Sequence, residues 1–262
     1  MTWQHRIQCR KLAELRFFVA TSTGRLASCC DLRTGHWCSA CIGWCNSNEA
    51  TAPQVAPLML ADLLAHPSVE EVCELRGTFG FMAFHGGGLE EATDIIAQQA
   101  AAATGSSYYG IHQPASLKWH VPSHRIDPQH SESLNTFINH VDTVITIHGF
   151  GRQGFFTSLL LGGRNRGLAT HVAQHLRTSL PAYNIIDDLG NIPADLAGQH
   201  IDNPVNRVRN HGVQIELPPR VRGASPLWWD WEGPHLTPHT QSLIDGLVRA
   251  VHTWNSSTSS TV

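Results

Sequence analysis

Residues 78–90 read Thr-Phe-Gly-Phe-Met-Ala-Phe-His-Gly-Gly-Gly-Leu-Glu. The apolar and aromatic run that opens this stretch is typical of a buried strand, and it ends abruptly at His85 and three glycines. Apolar residues then recur at helical spacing until Gly105, a signal for the end of a helix; they are Leu89, Ala92, Ile95, Ile96, Ala100 and Ala103. A strand, a glycine loop and a helix in this order indicate an α/β unit.

The pattern on both sides of this stretch extends the α/β unit. It predicts helices at residues 58–64, 132–139, 168–180 and 241–254. It predicts strands at residues 141–147, 183–186 and 212–217, the first of which runs into His148 and Gly149. We therefore expect one α/β domain over residues 56–254 and a flexible tail over residues 255–262.

The first 55 residues differ from the rest of the chain in composition. Six of the seven cysteines lie before residue 46, and neither a period of 2 nor one of 3.6 is sustained there. Cys38, Cys41 and Cys45 with His36 suggest a zinc knuckle, but a second pair at the right spacing is missing. We predict a Cys-rich extension that is a small appendage, a poorly ordered segment or a non-native upstream addition.

Composition excludes several classes of function. The net charge of -3 and the presence of only two lysines provide no general attraction to nucleic acid or to an anionic membrane. No apolar run approaches the ~20 residues that a membrane span needs, and the start of the chain lacks the features of a secretory signal. We expect a cytoplasmic monomer that binds neither nucleic acid nor membranes.

Three residues that can take part in chemistry fall at the predicted carboxyl ends of strands. These ends converge on one crevice in open α/β sheets, and His85, His148 and Glu216 all lie at or near them. Glu90 can return to the same place because the three glycines permit a tight turn. Two imidazoles and a carboxylate are a common catalytic zinc set. With 17 histidines in the chain, however, any one of them is more often a surface residue than a ligand.

Residues 83–90 closely resemble the Ala-x-His-Gly-Gly-Gly-Ile-Glu signature of the poly-γ-glutamate hydrolase family, whose bacterial members are sometimes labelled phage-related replication proteins. Four further blocks agree in order: His120-Val121-Pro122-Ser123 with Asp127-Pro128, Thr146-Ile147-His148-Gly149, Gly162-Gly163-Arg164-Asn165, and Asn203-Pro204-Val205-Asn206-Arg207 running into residues 212–217. The resemblance covers residues 58–254. It implies a carboxypeptidase A-like fold with a mixed sheet between two helical layers, one zinc ion and the cleavage of γ-glutamyl amide bonds in an anionic polymer or peptide.

The resemblance also implies roles for individual residues. His85, Glu90 and His148 take the three metal-ligand positions, and Glu216 takes the place of the general base. Amide hydrolysis further needs a group that stabilises the oxyanion, and Arg164 and Arg207 are the candidates for it. Asn165, Asn206 and Arg222 are candidates for binding substrate carboxylates and amides. A solvated surface charge is an equally good interpretation of each of these arginines.

The sequence departs from the family pattern after Glu90. Glu91-Ala92-Thr93 stands where the family usually has a Pro-Gly-Thr turn, so the helix can start earlier and the second acid can compete for the metal. Two other functions fit parts of the sequence. A serine esterase needs a Gly-x-Ser-x-Gly elbow, which the chain lacks. A nucleic-acid-binding or phage replication accessory protein is the alternative from another class, and the net acidity disfavours it.

Overall fold

The computed structural model describes residues 58–233 and 236–259, together with four two-residue strands nearer the start of the chain. The chain divides into two compact units, Met1–Ala56 and Pro57–Val262. In the first unit, two strand pairs are antiparallel: β1 (Val19–Ala20) with β2 (Leu26–Ala27), and β3 (Cys30–Asp31) with β4 (His36–Trp37). The predictions made for Cys38, Cys41 and Cys45 lie outside the described residues.

The second unit alternates strands and helices. Its strands are β5 (Glu70–Glu74), β6 (Gly77–Gly87), β7 (Ser106–Gln113), β8 (Thr143–Gly149), β9 (Ser158–Leu161), β10 (Asn184–Ile186) and β11 (Gly212–Leu217). Its helices are α1 (Leu60–Leu64), α2 (Thr93–Thr104), α3 (Glu132–His140), α4 (Arg166–Ser179) and α5 (Pro238–Ser259). Short 3-10 turns occupy several of the connections.

All seven strands of this unit form one mixed sheet in the order β10-β9-β11-β8-β6-β7-β5. The four central strands β11, β8, β6 and β7 are mutually parallel. The strand β5 joins β7 antiparallel, and β9 joins β11 antiparallel, with β10 parallel to β9. The carboxyl ends of the four central strands therefore lie along one edge of the sheet.

Helices cover both faces of the sheet. On one face, sheet residues such as Phe81 and Ile215 are buried in a core with residues of α2, α4 and α5. On the other face, Met82 and Val144 are buried with residues of α1 and α3. This arrangement confirms the predicted α/β class with a mixed central sheet between helices. Among the described residues, none of the helices combines the length and the apolar character that crossing a bilayer requires.

Several element boundaries differ from the predictions. The helix predicted from Leu89 onward begins only at Thr93, because Ala92 has a left-handed backbone with φ of 68°. The last helix continues past residue 254 to Ser259, into the segment predicted to be a flexible tail. The pattern did not predict β5, β7 or β9, since β5 and β7 carry polar residues and β9 is short. Sheet partners on both sides stabilise β7 in spite of its composition.

Candidate metal centre

Three adjacent parallel strands end at the candidate site. The strands β6, β8 and β11 carry His85, His148 and Glu216 at or near their carboxyl ends. Glu216 is the direct register partner of His148, so these two side chains lie on the same face of the sheet. All three residues are buried. The sheet itself thus brings together residues that are far apart in sequence.

The end of β6 is irregular, and this irregularity directs His85 and Glu90 to one another. The pairing of β6 with β7 shifts register between Ala83 and Gly86, so a bulge lies next to His85. Gly87 has φ of 70°, which favours glycine. The chain then turns back, and the Glu90 N–H donates to the His85 carbonyl at 2.9 Å. The glycines therefore place the Glu90 carboxylate beside His85 and His148.

Glu90 lies between the two imidazoles. Its Oε1 is 2.7 Å from His85 Nδ1, and its Oε2 is 3.5 Å from His148 Nδ1. The Gly149 N–H donates to the same Oε2 at 2.7 Å and orients the carboxylate. One ligand atom from each of His85, Glu90 and His148 lies within 4.8 Å of the others. Within the described part of the chain, this is the group of histidines and acids arranged to hold a metal ion.

The hydrogen bonds of the histidines favour a cation between these side chains. His85 Nε2 lies 2.9 Å from the Val121 carbonyl oxygen, which can only accept, so the Nε2 atom carries the proton. In the neutral ring, Nδ1 then directs a lone pair at the Glu90 carboxylate, and such a contact requires a proton or a metal ion between the two atoms. His148 Nε2 is buried and has no hydrogen-bond partner in the described residues. The donor set therefore suits a metal ion.

Electrostatics couple the three groups. Burial opposes the charge of Glu90, but His85 and His148 outweigh it and hold the pKa of Glu90 well below its usual value. Burial also lowers the pKa of His85, and the adjacent Glu90 outweighs it, so that the His85 pKa is raised. Glu90 is accordingly ionised at neutral pH, as a carboxylate ligand must be.

Glu216 differs from Glu90 in its surroundings. Burial and the negative charge of Glu90 raise the pKa of Glu216 to about 7, against the opposing effects of His148 and Gln214. Gln214 Nε2 donates to Glu216 Oε1 at 2.8 Å, and Asn203 Nδ2 donates to Gln214 Oε1 at 2.8 Å. This chain of buried amides fixes one oxygen of the carboxylate. A carboxyl group that titrates near neutral pH can both accept and return a proton.

Arg222 lies at the same end of the sheet. Its Nε donates to the Leu217 carbonyl at 3.2 Å and its Nη1 to the Glu91 carbonyl at 2.6 Å. A Cβ atom at Gly149 would lie 2.8 Å from Arg222 Cζ, so the guanidinium packs on that glycine. Burial lowers the pKa of Arg222, and Glu90, Glu91 and Glu216 oppose this shift. The structure thus brings Arg222 close to the metal-ligand group.

The other predicted arginines make contacts of their own. Arg207 forms ion pairs with Asp202 at 3.1 Å and with Asp127 at 3.6 Å. Arg164 is exposed, and its Nε donates to the Gln199 carbonyl at 3.1 Å. The proposed oxyanion role of these two arginines stays a prediction, and for Arg207 the acidic partners oppose it.

The two asparagines that were predicted to bind substrate form hydrogen bonds with backbone groups. Asn165 Oδ1 accepts from the Leu168 N–H at 2.9 Å and so caps α4, at the end of β11 opposite to Glu216. Asn206 Nδ2 donates to the carbonyls of Gly198 and His200, and its Oδ1 accepts from the Arg164 N–H. A substrate contact for either asparagine stays a prediction, to which the structure adds these backbone contacts.

Glu91 was predicted to be able to compete for the metal. Its side chain is exposed, and the ligand-forming group contains Glu90 without it. The left-handed Ala92 ends the turn before the helix begins, so Glu90 and Glu91 precede α2 instead of belonging to it. The backbone of Glu91 takes part in the site through its carbonyl, which holds Arg222.

Two residues near the centre received no role from the sequence. The ring of His120 lies 4.6 Å from that of His85, centroid to centroid, on the loop whose Val121 carbonyl orients His85. Gln214 orients Glu216. Both residues could have been found from the sequence. His120 is the first residue of one of the blocks that resemble the family, and Gln214 lies two residues before Glu216, which places both side chains on the same face of the strand.

Comparisons with known proteins agree with the fold. Residues 62–225 match a family model described as poly-gamma-glutamate hydrolase. A solved structure described as bacteriophage poly-gamma-glutamate hydrolase is 17% identical with a TM-score of 0.61, covering 72% of this chain and 90% of that chain. A second, described as YNDL in its apo, zinc-free form, is 19% identical with a TM-score of 0.59, covering 71% and 90%. Identities this low show the fold alone. No curated protein matches the chain.

Proposed function

The chain belongs to the poly-γ-glutamate hydrolase family, and we propose that it is a zinc-dependent amidohydrolase that cleaves γ-glutamyl amide bonds in poly-γ-glutamate or related peptides. The main support is the convergence of His85, Glu90, His148 and Glu216 at the ends of three adjacent strands. Family membership makes the chain a hydrolase. The choice of zinc and the role of each residue are the proposal.

The donor set is compatible with zinc. Ligand atoms about 2.0–2.1 Å from a tetrahedral zinc ion lie about 3.4 Å from each other. The 3.5 Å between Glu90 Oε2 and His148 Nδ1 is close to this spacing, whereas the 2.7 Å between Glu90 Oε1 and His85 Nδ1 is a hydrogen-bond distance that would lengthen when the ion binds. His85 and Glu90 each have a backbone partner, the Val121 carbonyl and the Gly149 N–H, of the kind that orients metal ligands. When bound, zinc lowers the pKa of water and polarises the substrate carbonyl.

Glu216 is the proposed general base. It takes a proton from the attacking water and returns it to the nitrogen of the leaving group. Its raised pKa, about 7, supports this exchange because the carboxyl group gains and loses a proton near neutral pH. Gln214 holds one of its oxygens and leaves the other for this exchange. Burial keeps bulk water away from the transfer.

Arg222 is the proposed partner for a substrate carboxylate. Each residue of a γ-linked glutamate chain carries an α-carboxylate, and a guanidinium binds such a group with two parallel hydrogen bonds. Two of its donors are held by backbone carbonyls, so the position of the charge is set before substrate binds. The described residues contain no observation that favours the alternative, nucleic-acid binding.

Metal analysis followed by digestion tests this function. We expect about one zinc per chain at the site and shortening of poly-γ-glutamate by the zinc-loaded protein, measured by size-exclusion chromatography. The double variant His85→Ala/His148→Ala should lose that zinc and the activity. His130→Ala is the matched control, since His130 is exposed on a turn of the same unit. A double variant that retains full zinc in the Pro57–Val262 unit would contradict the site.

A further inference from the structure

Two loops border the metal-ligand group. The first loop, residues 119–127, contacts it through the Val121 carbonyl on His85 and through the ring of His120. The second loop, residues 197–207, reaches the proposed base indirectly, because Asn203 donates to Gln214 and Gln214 donates to Glu216. One loop thus adjoins the metal ligands and the other adjoins the proposed base.

The two loops meet at a pair of histidines. The rings of His124 and His200 are 5.0 Å apart, centroid to centroid, and tilted by 38°. Arg207 connects the two loops, because it pairs with Asp127 of the first loop and with Asp202 of the second. The single positive charge of Arg207 offsets one of the two negative charges. Both histidines are exposed.

The hydrogen-bond donors of this pair have no partners within the described residues. The Asp202 N–H donates to His200 Nδ1 at 3.1 Å, so the neutral ring carries its proton on Nε2. Asp202 Oδ2 is 3.7 Å from the same Nδ1, too far for a hydrogen bond. In the part of the chain that the structure describes, the His124 ring makes a ring contact with His200 and forms no hydrogen bond or ion pair.

Arg125 follows His124 on the same turn and adds a positive charge to it. Its guanidinium has no acidic partner in the described residues, whereas Arg152, Arg177 and Arg209 each pair with an aspartate. Its backbone N–H donates to the Pro122 carbonyl and so belongs to the turn that carries His124. Two imidazoles in ring contact, and an arginine on the turn of one of them, thus have donors that the described residues leave unused.

We propose that His124, His200 and Arg125 form a carboxylate-binding subsite that holds a γ-glutamyl polymer away from the bond that is cut. This inference rests on the proposed function and specifies its substrate as a polymer. A chain with a carboxylate on every residue supplies acceptors for such donors along its whole length, and charge-assisted hydrogen bonds are the strongest of their kind. Only a chain long enough to occupy the metal centre and the subsite together gains these contacts. The enzyme therefore prefers long chains.

The test compares substrates of different length. For the zinc-loaded protein, we measure kcat/KM on poly-γ-glutamate and on a γ-glutamyl dipeptide. The ratio of the two values should fall about tenfold in His124→Gln/His200→Gln, mainly through KM for the polymer. His124→Arg, which keeps a positive donor, should retain most of the ratio, and His124→Glu should lower it further. His130→Gln is the control and should leave the ratio unchanged. Equal ratios in all variants would overturn the subsite.

A binding experiment separates this inference from the proposed function. Calorimetric titration of the Glu216→Gln protein with a poly-γ-glutamate fragment should give an affinity that falls about tenfold when His124 and His200 are also replaced by glutamine. If the wild-type protein cuts neither substrate, the proposed function fails, while this titration still decides the subsite. Single-stranded DNA serves as a second polyanion. Binding of DNA through the two histidines without binding of polyglutamate would overturn the assignment of the ligand.

Discussion

Glu216 and Glu90 are both buried carboxylates, yet their surroundings assign them opposite properties. Glu90 has two imidazoles and a backbone N–H within contact distance, and its pKa is lowered. Glu216 has an amide on one oxygen, and burial with the charge of Glu90 raises its pKa to about 7. One carboxylate is therefore suited to bind a cation and the other to exchange protons.

This difference predicts the effect of Glu216→Gln. The variant should keep its shape and its zinc, because Glu216 lies outside the ligand group and glutamine has the same size. Turnover should fall by about 10²-fold to 10⁴-fold, the usual contribution of a general base, with the loss in kcat. The measurement is steady-state kinetics on poly-γ-glutamate, beside metal analysis and thermal denaturation. Near-normal turnover with normal zinc would exclude the role, and Glu91 would be the next candidate.

The metal-free protein should become less stable as the pH rises. Because the folded state raises the Glu216 pKa from 4.5 to about 7, it binds more protons than the unfolded state between these values, and stability falls through that window. The resulting loss in the free energy of unfolding approaches about 3 kcal/mol at pH 8, because each unit of pKa difference corresponds to about 1.36 kcal/mol. The Glu216→Gln variant should not show this loss, because glutamine does not ionise.

Urea denaturation of both proteins in the presence of a chelator measures this penalty. As the pH rises from 5 to 8, the free energy of unfolding of Glu216→Gln should increase relative to that of the wild-type protein, because the variant lacks the buried carboxyl group that loses its proton in this range. A constant difference across this range would show that Glu216 has an ordinary pKa.

At the scale of elements, the glycines that end β6 are required for close packing as well as for the turn. A Cβ atom at Gly88 would lie 2.1 Å from Ala115 Cα, and the Gly88 N–H donates to the Gln113 carbonyl at 2.7 Å. The glycine segment is therefore pressed against the chain that follows β7. Glu90 depends on this contact, since it lies two residues further along.

Gly88→Ala should consequently reduce both stability and metal binding. The added methyl group would clash with the backbone of Ala115, and a backbone shift costs free energy. We therefore expect a loss of about 1–3 kcal/mol in unfolding free energy. Zinc binding should also weaken, because the shift displaces Glu90. Gly151→Ala is the control, because nothing lies within 4 Å of a Cβ atom there. Thermal denaturation and zinc titration measure the two effects. Normal zinc affinity in Gly88→Ala would show that the turn tolerates the shift.

At the scale of the whole molecule, the site belongs to one unit of the chain. All proposed ligands, the base and the arginines lie within the unit Pro57–Val262. Its core contains sheet residues and helices of that unit, on both faces of the sheet. The unit thus contains the parts that the proposed chemistry requires.

Deletion of residues 1–50 should therefore leave folding and hydrolysis largely intact. The comparison is between the full chain and the truncated protein, by circular dichroism, melting temperature and kcat/KM on poly-γ-glutamate. Values within about twofold of the full chain are expected. An insoluble or inactive truncated protein would show that the Cys-rich segment is structural.

The α/β class and much of the candidate site could be predicted from the sequence, because local patterns carry that information. The run of apolar residues into His85 and glycine, and the strand 212–217 with Glu216, are local features, and the ordered blocks add the family. The strand β7 could not be predicted, because its neighbours β6 and β5 stabilise it and its own composition does not. The start of α2 at Thr93 was missed because the left-handed backbone of Ala92 delays the helix, and the end of α5 at Ser259 was also missed.

By itself, the sequence determined which residue types are available for metal binding and on which strands they stand. Only the tertiary structure decided which of the arginines lies beside them, since Arg222 packs on Gly149 while Arg207 pairs with two aspartates. It also decided the properties of the two buried glutamates and brought His124 to His200. The physical reason is that charge, burial and contact depend on distances through space between segments that the chain separates by many residues, and no local pattern encodes those distances.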